Sequence, residues 1–285
     1  MQRLIATQFP HWSDLPIRAV EPGGWDNRTF RLGDQMSVRL PSAAEYAPQV
    51  DKEHHWLPKL APNLPLAIPV PLAKGRPDSS YPWSWSIYRW LPGECAAVTH
   101  IADRSTLAYS LARFLLDLRR VETAGGPPPG AHCFQRGAPV SVYDAEVRRA
   151  MDVLRIEIDS MAVRSIWESA VKTTWNHAPV WFHGDLAAGN LLLTEGRLVA
   201  VIDFGCCGVG DPACDLAIAW TLFSGESRVA FRAALEIDDE AWLRGRAWAL
   251  WKALITIVEY SQSDTNKADD ARRVLGEILA DDLTA

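Results

Sequence analysis

The sequence predicts an α+β chain with a small β-rich N-terminal part and a larger helical C-terminal part. Short β-prone runs separated by glycine-bearing turns fill residues 17–41, and a period-two run at residues 83–87 follows a proline-rich stretch. Helical periodicity dominates from residue 105 onward. Pro92-Gly93 separates the two patterns, so the predicted parts are residues 1–91 and residues 92–285.

Composition bounds the class of protein. The 285 residues are 48% hydrophobic and 22% charged, as in globular domains. The chain starts without an apolar signal region, no run could span a membrane, and five cysteines form no regular framework. We therefore expect a cytoplasmic protein with no membrane partner. The net charge of -6 and the lack of a basic cluster argue against a nucleic-acid partner and suit a cationic substrate.

Two glycines, Gly23 and Gly24, stand in the turn between the first two β-prone runs. Without a Cβ atom, the backbone N–H groups of such a turn can approach phosphates closely. The same pair also suits an ordinary hairpin turn, and the sequence alone leaves both interpretations open.

A charged pair is predicted next. Arg39 ends the third β-prone run, and residues 48–60 have helical periodicity that puts Glu53 on the apolar face. A buried carboxylate needs a cation, and Arg39 is the best-placed candidate. The pair could position a nucleotide or be structural only.

The remaining helices follow in order. We predict a helix over residues 105–121 with Ser105 as N-cap, then a loop over 124–139 that lies over the core or beside a substrate cleft. Further helices are predicted over 141–158, 161–175, 211–223, 227–235, 239–260 and 266–279. Tryptophans of the long helix, such as Trp248 and Trp251, are expected in the core or in a substrate wall.

Between these helices lies the segment that carries chemistry. Apolar runs at 190–194 and 198–202 flank Glu195-Gly196 and predict a β-hairpin. Its two ends bring Asp185 and Asn190 close to Asp203. Clustered carboxylate and amide oxygens suit Mg²⁺. The order Asp185, Asn190, then Asp203 in Asp-Phe-Gly is the order of parts in kinase-type phosphoryl transfer.

These motifs resemble the catalytic core of the aminoglycoside phosphotransferase family, kinase-like small-molecule phosphotransferases related to choline and macrolide kinases. The matching residues are His183-Gly184-Asp185, Asn190, Ile202-Asp203-Phe204-Gly205 and the run Gly210-Asp211-Pro212-Ala213-Cys214-Asp215-Leu216-Ala217. The resemblance implies a two-lobed protein-kinase-like fold with ATP or GTP between the lobes. It also implies that Asp215 steadies the loop of Asp185.

The resemblance also implies roles for the other residues. Asp185 would be the catalytic base, and Asn190 and Asp203 would hold Mg²⁺. Arg39, where such folds usually have lysine, would steady the phosphates with Glu53 as its partner. The backbone of Arg89, Trp90 and Leu91 would contact the adenine edge, although the same residues also suit an ordinary strand and turn.

The acceptor is left open by the sequence. By resemblance, a hydroxyl of an aminoglycoside is the leading candidate, which would make the acceptor cationic. A macrolide comes next, followed by a metabolite alcohol such as choline, homoserine or a sugar amine. A catalytically silent nucleotide-binding regulator is the alternative of another class. The joint presence of Asp185, Asn190 and Asp203 argues against it, because a silent module needs no such set.

Overall fold

The computed structural model describes residues 1–21 and 23–281, and it confirms the predicted α+β class. Its strands are β1 Ile17–Ala19, β2 Asn27–Leu32, β3 Met36–Pro41, β4 Pro71–Gly75, β5 Trp85–Arg89, β6 Glu94–Cys95, β7 Val180–Phe182, β8 Leu191–Thr194, β9 Arg197–Val201 and β10 Gly208–Gly210. Its α-helices are α1 Gln2–Gln8, α2 Ala47–Leu60, α3 Arg104–Arg120, α4 Asp144–Val153, α5 Ser160–Val171, α6 Ile218–Thr221, α7 Gly225–Leu235, α8 Asp239–Tyr260 and α9 Thr265–Leu279.

The N-terminal part is built on a five-stranded antiparallel sheet in the order β1-β2-β3-β5-β4. The three predicted runs of residues 17–41 are its β1, β2 and β3. Helix α1, which was not predicted from the sequence, covers this sheet and buries Leu4 and Ile5 against Val38 and Trp85. The sheet therefore has a core of its own.

Helix α2 confirms the predicted helix at residues 48–60. Pro48 lies in its first turn, where the missing backbone N–H has no partner to lose. Val50, Glu53 and Leu57 are buried, as the helical spacing predicts. Leu57 joins Tyr88 of β5 in the large core of the C-terminal helices.

The predicted N-cap of α3 is wrong. The helix starts at Arg104, and its cap is Asp103, whose carboxylate accepts hydrogen bonds from the backbone N–H groups of Ser105 and Thr106. Both Asp103 and Ser105 are residue types that cap helices, so the sequence alone did not decide which of the two begins the helix.

The helix predicted from Asp211 is confirmed with a difference in form. Asp211 caps it by accepting from Ala213, but the first turns, Pro212–Ala217, are a 3₁₀ helix before α6 begins. The second oxygen of Asp211 accepts from the guanidinium of Arg244 on α8 at 2.7 Å. This buried ion pair ties the start of the helix to the longest helix of the protein.

The segment that connects the N-terminal sheet to the C-terminal helices follows β5. Strand β5 ends at Arg89, and α3 begins at Arg104. The division at Leu91 stays a prediction, since β5 and α2 also contribute to the larger core. No helix within the described residues is long and apolar enough to cross a membrane.

We predict that Arg244→Met lowers the free energy of unfolding by about 3–5 kcal/mol, because Asp211 would remain buried without its cation. The side chains of Arg244 and Asp211 are only 2% and 6% exposed. Urea unfolding followed by tryptophan fluorescence measures this loss.

Arg148→Met is the matched control. Its 2.7 Å pair with Asp144 has exposed fractions of 55% and 35%. It should cost less than about 1 kcal/mol, because water screens exposed pairs. Equal losses in the two variants would contradict the structural role of the Arg244 pair.

Candidate active site

The predicted hairpin is present as β8 and β9, joined by Glu195-Gly196. Both turn residues have positive φ, 51° and 75°, as a type I′ turn requires. At the open end, the N–H of Ile202 donates to the carbonyl of Asn190 at 2.9 Å. The hairpin therefore fixes Asn190 beside Asp203.

The loop before the hairpin is held from below by Asp215. This buried carboxylate accepts from the backbone N–H groups of His183 at 2.8 Å and Gly184 at 2.7 Å, one on each oxygen. Gly184 has φ 85°, and a Cβ there would lie 2.6 Å from the carbonyl oxygen of Cys206. Only glycine fits this position. These contacts agree with the role that the resemblance implies for Asp215, which is to steady this loop.

His183 is fully buried inside the same loop. Its Nδ1 lies 3.2 Å from the N–H of Asp185, and its Nε2 lies 3.0 Å from the carbonyl of Ile202. Nδ1 therefore accepts and Nε2 donates, which defines a neutral tautomer. Both nitrogens are occupied in holding the loop, so His183 has no free site for proton transfer.

Asp185 lies at the end of this loop. The Asn190 amide nitrogen donates to its carbonyl at 2.8 Å and to its carboxylate at 3.3 Å, and the Lys252 ammonium lies 3.3 Å from the other carboxylate oxygen. Burial acts to raise the pKa of Asp185, but the positive charges of Lys252 and, to a lesser degree, Arg136 outweigh it and hold the pKa below its usual value. Asp185 is therefore an oriented carboxylate at neutral pH.

Arg39 forms a bridge across the cleft. Its guanidinium lies 3.5 Å from Glu53 and 2.9 Å from Asp203. The hydroxyl of Tyr88 donates to the second oxygen of Glu53. Burial acts to lower the pKa of Arg39, yet Glu53 and Asp203 raise it above its ordinary value. The predicted contact between Arg39 and Glu53 is present, and their role toward a nucleotide stays a prediction.

Asp26 is a site residue that the motifs did not single out. It lies after the glycine pair, with Gln49 donating to its carboxylate at 3.3 Å. Burial raises the pKa of Asp26 to about 6, with further contributions from the charges of Asp203 and Asp185. A cation bound near Asp26 and Asp203 would offset this repulsion and favour the ionised form of Asp26.

Gly23 and Gly24 are exposed in the same turn. A Cβ on Gly23 would meet no atom within 4 Å, and one on Gly24 would make an ordinary contact at 3.4 Å with the carbonyl of Asn27. The fold itself therefore does not require glycine at these positions. Contact with phosphates stays a prediction for this pair, beside the alternative of an ordinary turn.

The donor atoms beside Asp203 fit Mg²⁺. Asn190 uses its amide nitrogen toward Asp185, so its amide oxygen can serve a cation, and Arg39 contacts one of the two Asp203 oxygens. Within residues 1–21 and 23–281, no group of three His, Cys, Asp or Glu side chains forms a metal site. Mg²⁺ is commonly held by one or two carboxylates together with substrate phosphates, so Asn190 and Asp203 stay its predicted ligands.

The structure leaves fewer backbone groups free to contact adenine than the sequence predicted. The N–H of Arg89 donates to Val70 and that of Trp90 to Gln35, at 2.9 and 2.8 Å. These two N–H groups are thus unavailable to a base. The Trp90 ring lies under the guanidinium of Arg31 at 4.1 Å. The carbonyls of Arg89 and Trp90 and the backbone of Leu91 remain as predicted contacts.

A cavity of about 470 Å³ lies beside Asp185, between its loop and helices α8 and α9. Trp248 and Trp251 line this cavity. Both are also buried, so each belongs to the core and to the cavity wall. Arg136, from the predicted loop 124–139, donates to the carbonyl of Gly184 at 3.1 Å and lies 4.9 Å from the Trp251 ring. Neither Arg136 nor Lys252 belonged to a motif that could have identified it.

Solved structures of known proteins share the fold of this chain. A GDP complex of aminoglycoside 2′-phosphotransferase-IIIa matches with a TM-score of 0.70 at 19% identity, over 98% of this chain and 97% of that one. Macrolide 2′-phosphotransferase MphH from Brachybacterium faecium matches with a TM-score of 0.62 at 22% identity, over 96% and 98%. An aminoglycoside 3'-phosphotransferase of Escherichia coli is 48% identical over 42 residues, which span only 15% of this chain and 16% of that protein.

The fold is the two-lobed kinase-like fold that the sequence predicted. The model of the phosphotransferase enzyme family APH matches residues 17–251. The chain belongs to this family.

We predict that Asp215→Asn lowers the free energy of unfolding by about 1–3 kcal/mol. An asparagine has one acceptor oxygen, so its NH₂ group would face one of the two N–H groups of His183 and Gly184. Thermal and urea unfolding measure the loss, and hydrogen exchange at His183 and Gly184 should accelerate.

Asp159→Asn is the control for this variant. Asp159 caps α5 with one oxygen that accepts from both Met161 and Ala162. Asparagine can provide that oxygen, so the change should cost only a few tenths of a kcal/mol. A loss at Asp215 no larger than the loss at Asp159 would refute the proposed support of the loop.

Proposed function

We propose that this protein transfers the γ-phosphoryl group of ATP or GTP to a hydroxyl of a small molecule bound in the cavity beside Asp185. One observation carries the proposal. Asp185 lines the cavity while its carboxylate contacts Asn190, so the candidate base, a candidate Mg²⁺ ligand and space for an acceptor meet at one point. Kinase-type transfer needs this arrangement, because its catalysis is mainly positioning and charge stabilisation.

Asp185 is the proposed catalytic base. Its depressed pKa keeps it ionised, and its contacts with Asn190 and Lys252 fix the direction of the carboxylate. An acceptor hydroxyl in the cavity would donate its hydrogen bond to this carboxylate, which orients the oxygen as nucleophile and receives the proton as transfer occurs.

The nucleotide side of the cleft is proposed to be held by Arg39 together with Asn190 and Asp203. Arg39, steadied by Glu53, supplies positive charge to the phosphates. Asn190 and Asp203 would hold Mg²⁺, which when bound neutralises phosphate charge. Gly23 and Gly24 would let backbone N–H groups approach the phosphates, and the carbonyls of Arg89 and Trp90 with the backbone of Leu91 would contact the base.

An antibiotic of the aminoglycoside or macrolide kind is the proposed acceptor, and a metabolite alcohol is the next candidate. Solved relatives include a complex of APH(2″)-IIIa with GDP and kanamycin, and a macrolide 2′-phosphotransferase. Phosphorylation of an antibiotic would give the protein a role in resistance. Five free thiols fit action in the reducing cytoplasm. A screen of ADP or GDP release across aminoglycosides, macrolides and amino alcohols tests the acceptor.

We predict that Asp185→Asn lowers the rate of transfer by about 10²- to 10⁴-fold, because the hydroxyl loses its proton acceptor. Nucleotide affinity and thermal stability should stay close to those of the wild type. Coupled ADP release with the best acceptor measures the rate, and calorimetry measures nucleotide binding. Asp269→Asn, at a side chain 71% exposed, is the control. Wild-type turnover by Asp185→Asn would remove Asp185 from the mechanism.

We predict that Asp203→Asn weakens Mg²⁺-dependent nucleotide binding by at least about tenfold, because a charged metal ligand becomes neutral. Calorimetric titration of nucleotide at several Mg²⁺ concentrations measures the effect, again beside Asp269→Asn. An unchanged Mg²⁺ dependence would exclude Asp203 as a ligand. Tight nucleotide binding with slow hydrolysis that no acceptor stimulates would instead favour a silent regulatory module.

A further inference from the structure

The cavity beside Asp185, proposed above as the acceptor site and called the acceptor cavity from here on, has mostly basic charged side chains. Arg136, Lys252 and Lys267 line it, while the carboxylates in its described lining are those of Asp185 and Asp270. Asp185 is the proposed base, and Asp270 already pairs with Arg273 at 2.9 Å. Few acidic groups therefore remain for a ligand with several positive charges.

The rest of the lining is largely apolar. Trp248 and Trp251 form one wall, with Leu186 and Val274 among the aliphatic side chains. The guanidinium of Arg136 lies 5.4 and 4.9 Å from the two tryptophan rings, so even these aromatic faces have a cation near them. In other proteins such aromatic faces attract ammonium groups of a ligand. Here the guanidinium of Arg136 already lies near both rings.

Lys252 has a central position in this cavity. Together with Trp248, Ala249, Ala253 and Thr256 it forms the face of α8 that lines the cavity, as the spacing of three and four residues dictates. Its side chain is 50% exposed, and its ammonium lies 3.3 Å from Asp185. An acceptor hydroxyl that reaches Asp185 must therefore come close to this ammonium.

A second lysine stands at the edge of the cavity. Lys267 of α9 pairs with Asp264 at 3.4 Å and lies 4.7 Å from the ring of Tyr260. It also lies 5.9 Å from the ring of Trp25, which follows the glycine pair. An ammonium group thus stands beside the base and another at the rim, and each is already paired with one carboxylate.

We infer that this cavity selects a largely apolar, hydroxylated acceptor with no more than one positive charge, and that Lys252 is the residue that excludes polycations. The inference rests on the proposed function, because it describes the acceptor of the same site. Its physical basis is that like charges brought together in a partly buried site repel strongly, and no surplus carboxylates among the described lining residues offset this.

The test compares two hydroxylated probes, erythromycin as a largely apolar monocation and kanamycin as a polycation. Calorimetry measures their binding to the protein with Mg²⁺ and a non-hydrolysable ATP analogue. The wild type should bind erythromycin at least about tenfold more tightly than kanamycin. Lys252→Gln should tighten kanamycin binding by at least about tenfold and change erythromycin binding by less than about threefold.

Two control variants isolate the charge at this position. Lys252→Arg keeps the charge and should retain the wild-type preference. Lys172→Gln removes a positive charge from an exposed side chain outside the cavity and should also retain it. A preference that changes in Lys172→Gln as much as in Lys252→Gln would overturn the inference, because a general effect of net charge would then explain both.

Three further results would also overturn it: tighter binding of kanamycin than of erythromycin by the wild type, no binding of erythromycin, or an unchanged ratio in Lys252→Gln. Phosphoryl transfer is measured separately on the same samples. Binding with the expected preference but without transfer to any acceptor would refute the proposed function and leave the inference about charge selection standing. Transfer to kanamycin in preference to erythromycin would refute the inference and support the function.

Discussion

The bridge that Arg39 makes between Glu53 and Asp203 is the interaction on which the rest of the site depends. It joins β3 of the sheet, helix α2 and the segment after β9. Glu53 is only 3% exposed, so without the guanidinium it would be a buried, uncompensated charge. Because the hairpin also fixes Asn190 beside Asp203, this one cation sets the position of both candidate metal ligands relative to the sheet.

Helix α2 also contacts the segment after Asp203 directly, through the side chain of Lys52. Lys52 donates to the carbonyls of Gly205 at 2.6 Å and Cys207 at 3.1 Å. The cleft that results has opposite charge character at its two ends. Carboxylates lie where a cation and phosphates are proposed to bind, whereas two lysines and an arginine line the cavity proposed for the acceptor. In this proposal the residues that bind Mg²⁺ and the nucleotide phosphates therefore differ from the basic residues that select the acceptor.

The parts that sequence predicted best are those whose signal is local. The hairpin was predictable because Glu195-Gly196 interrupts two apolar runs, and the Arg39–Glu53 contact because helical spacing put an acid on an apolar face. Local signals were also the source of error at Ser105, since Asp103 two residues earlier is an equally good cap. Helix α1 was missed because its burial against the sheet is a tertiary contact.

Sequence alone determined the order of chemical groups, the succession of strands and helices, and through its motifs the family. Tertiary structure decided which other side chains reach those groups. Lys252 contacts Asp185 across 67 residues of chain, and Arg136 contacts Gly184 across 48. No periodicity encodes such contacts, because they depend on how α8 and the loop before α4 pack against the catalytic loop. The charge of the acceptor cavity is therefore a property of the packing.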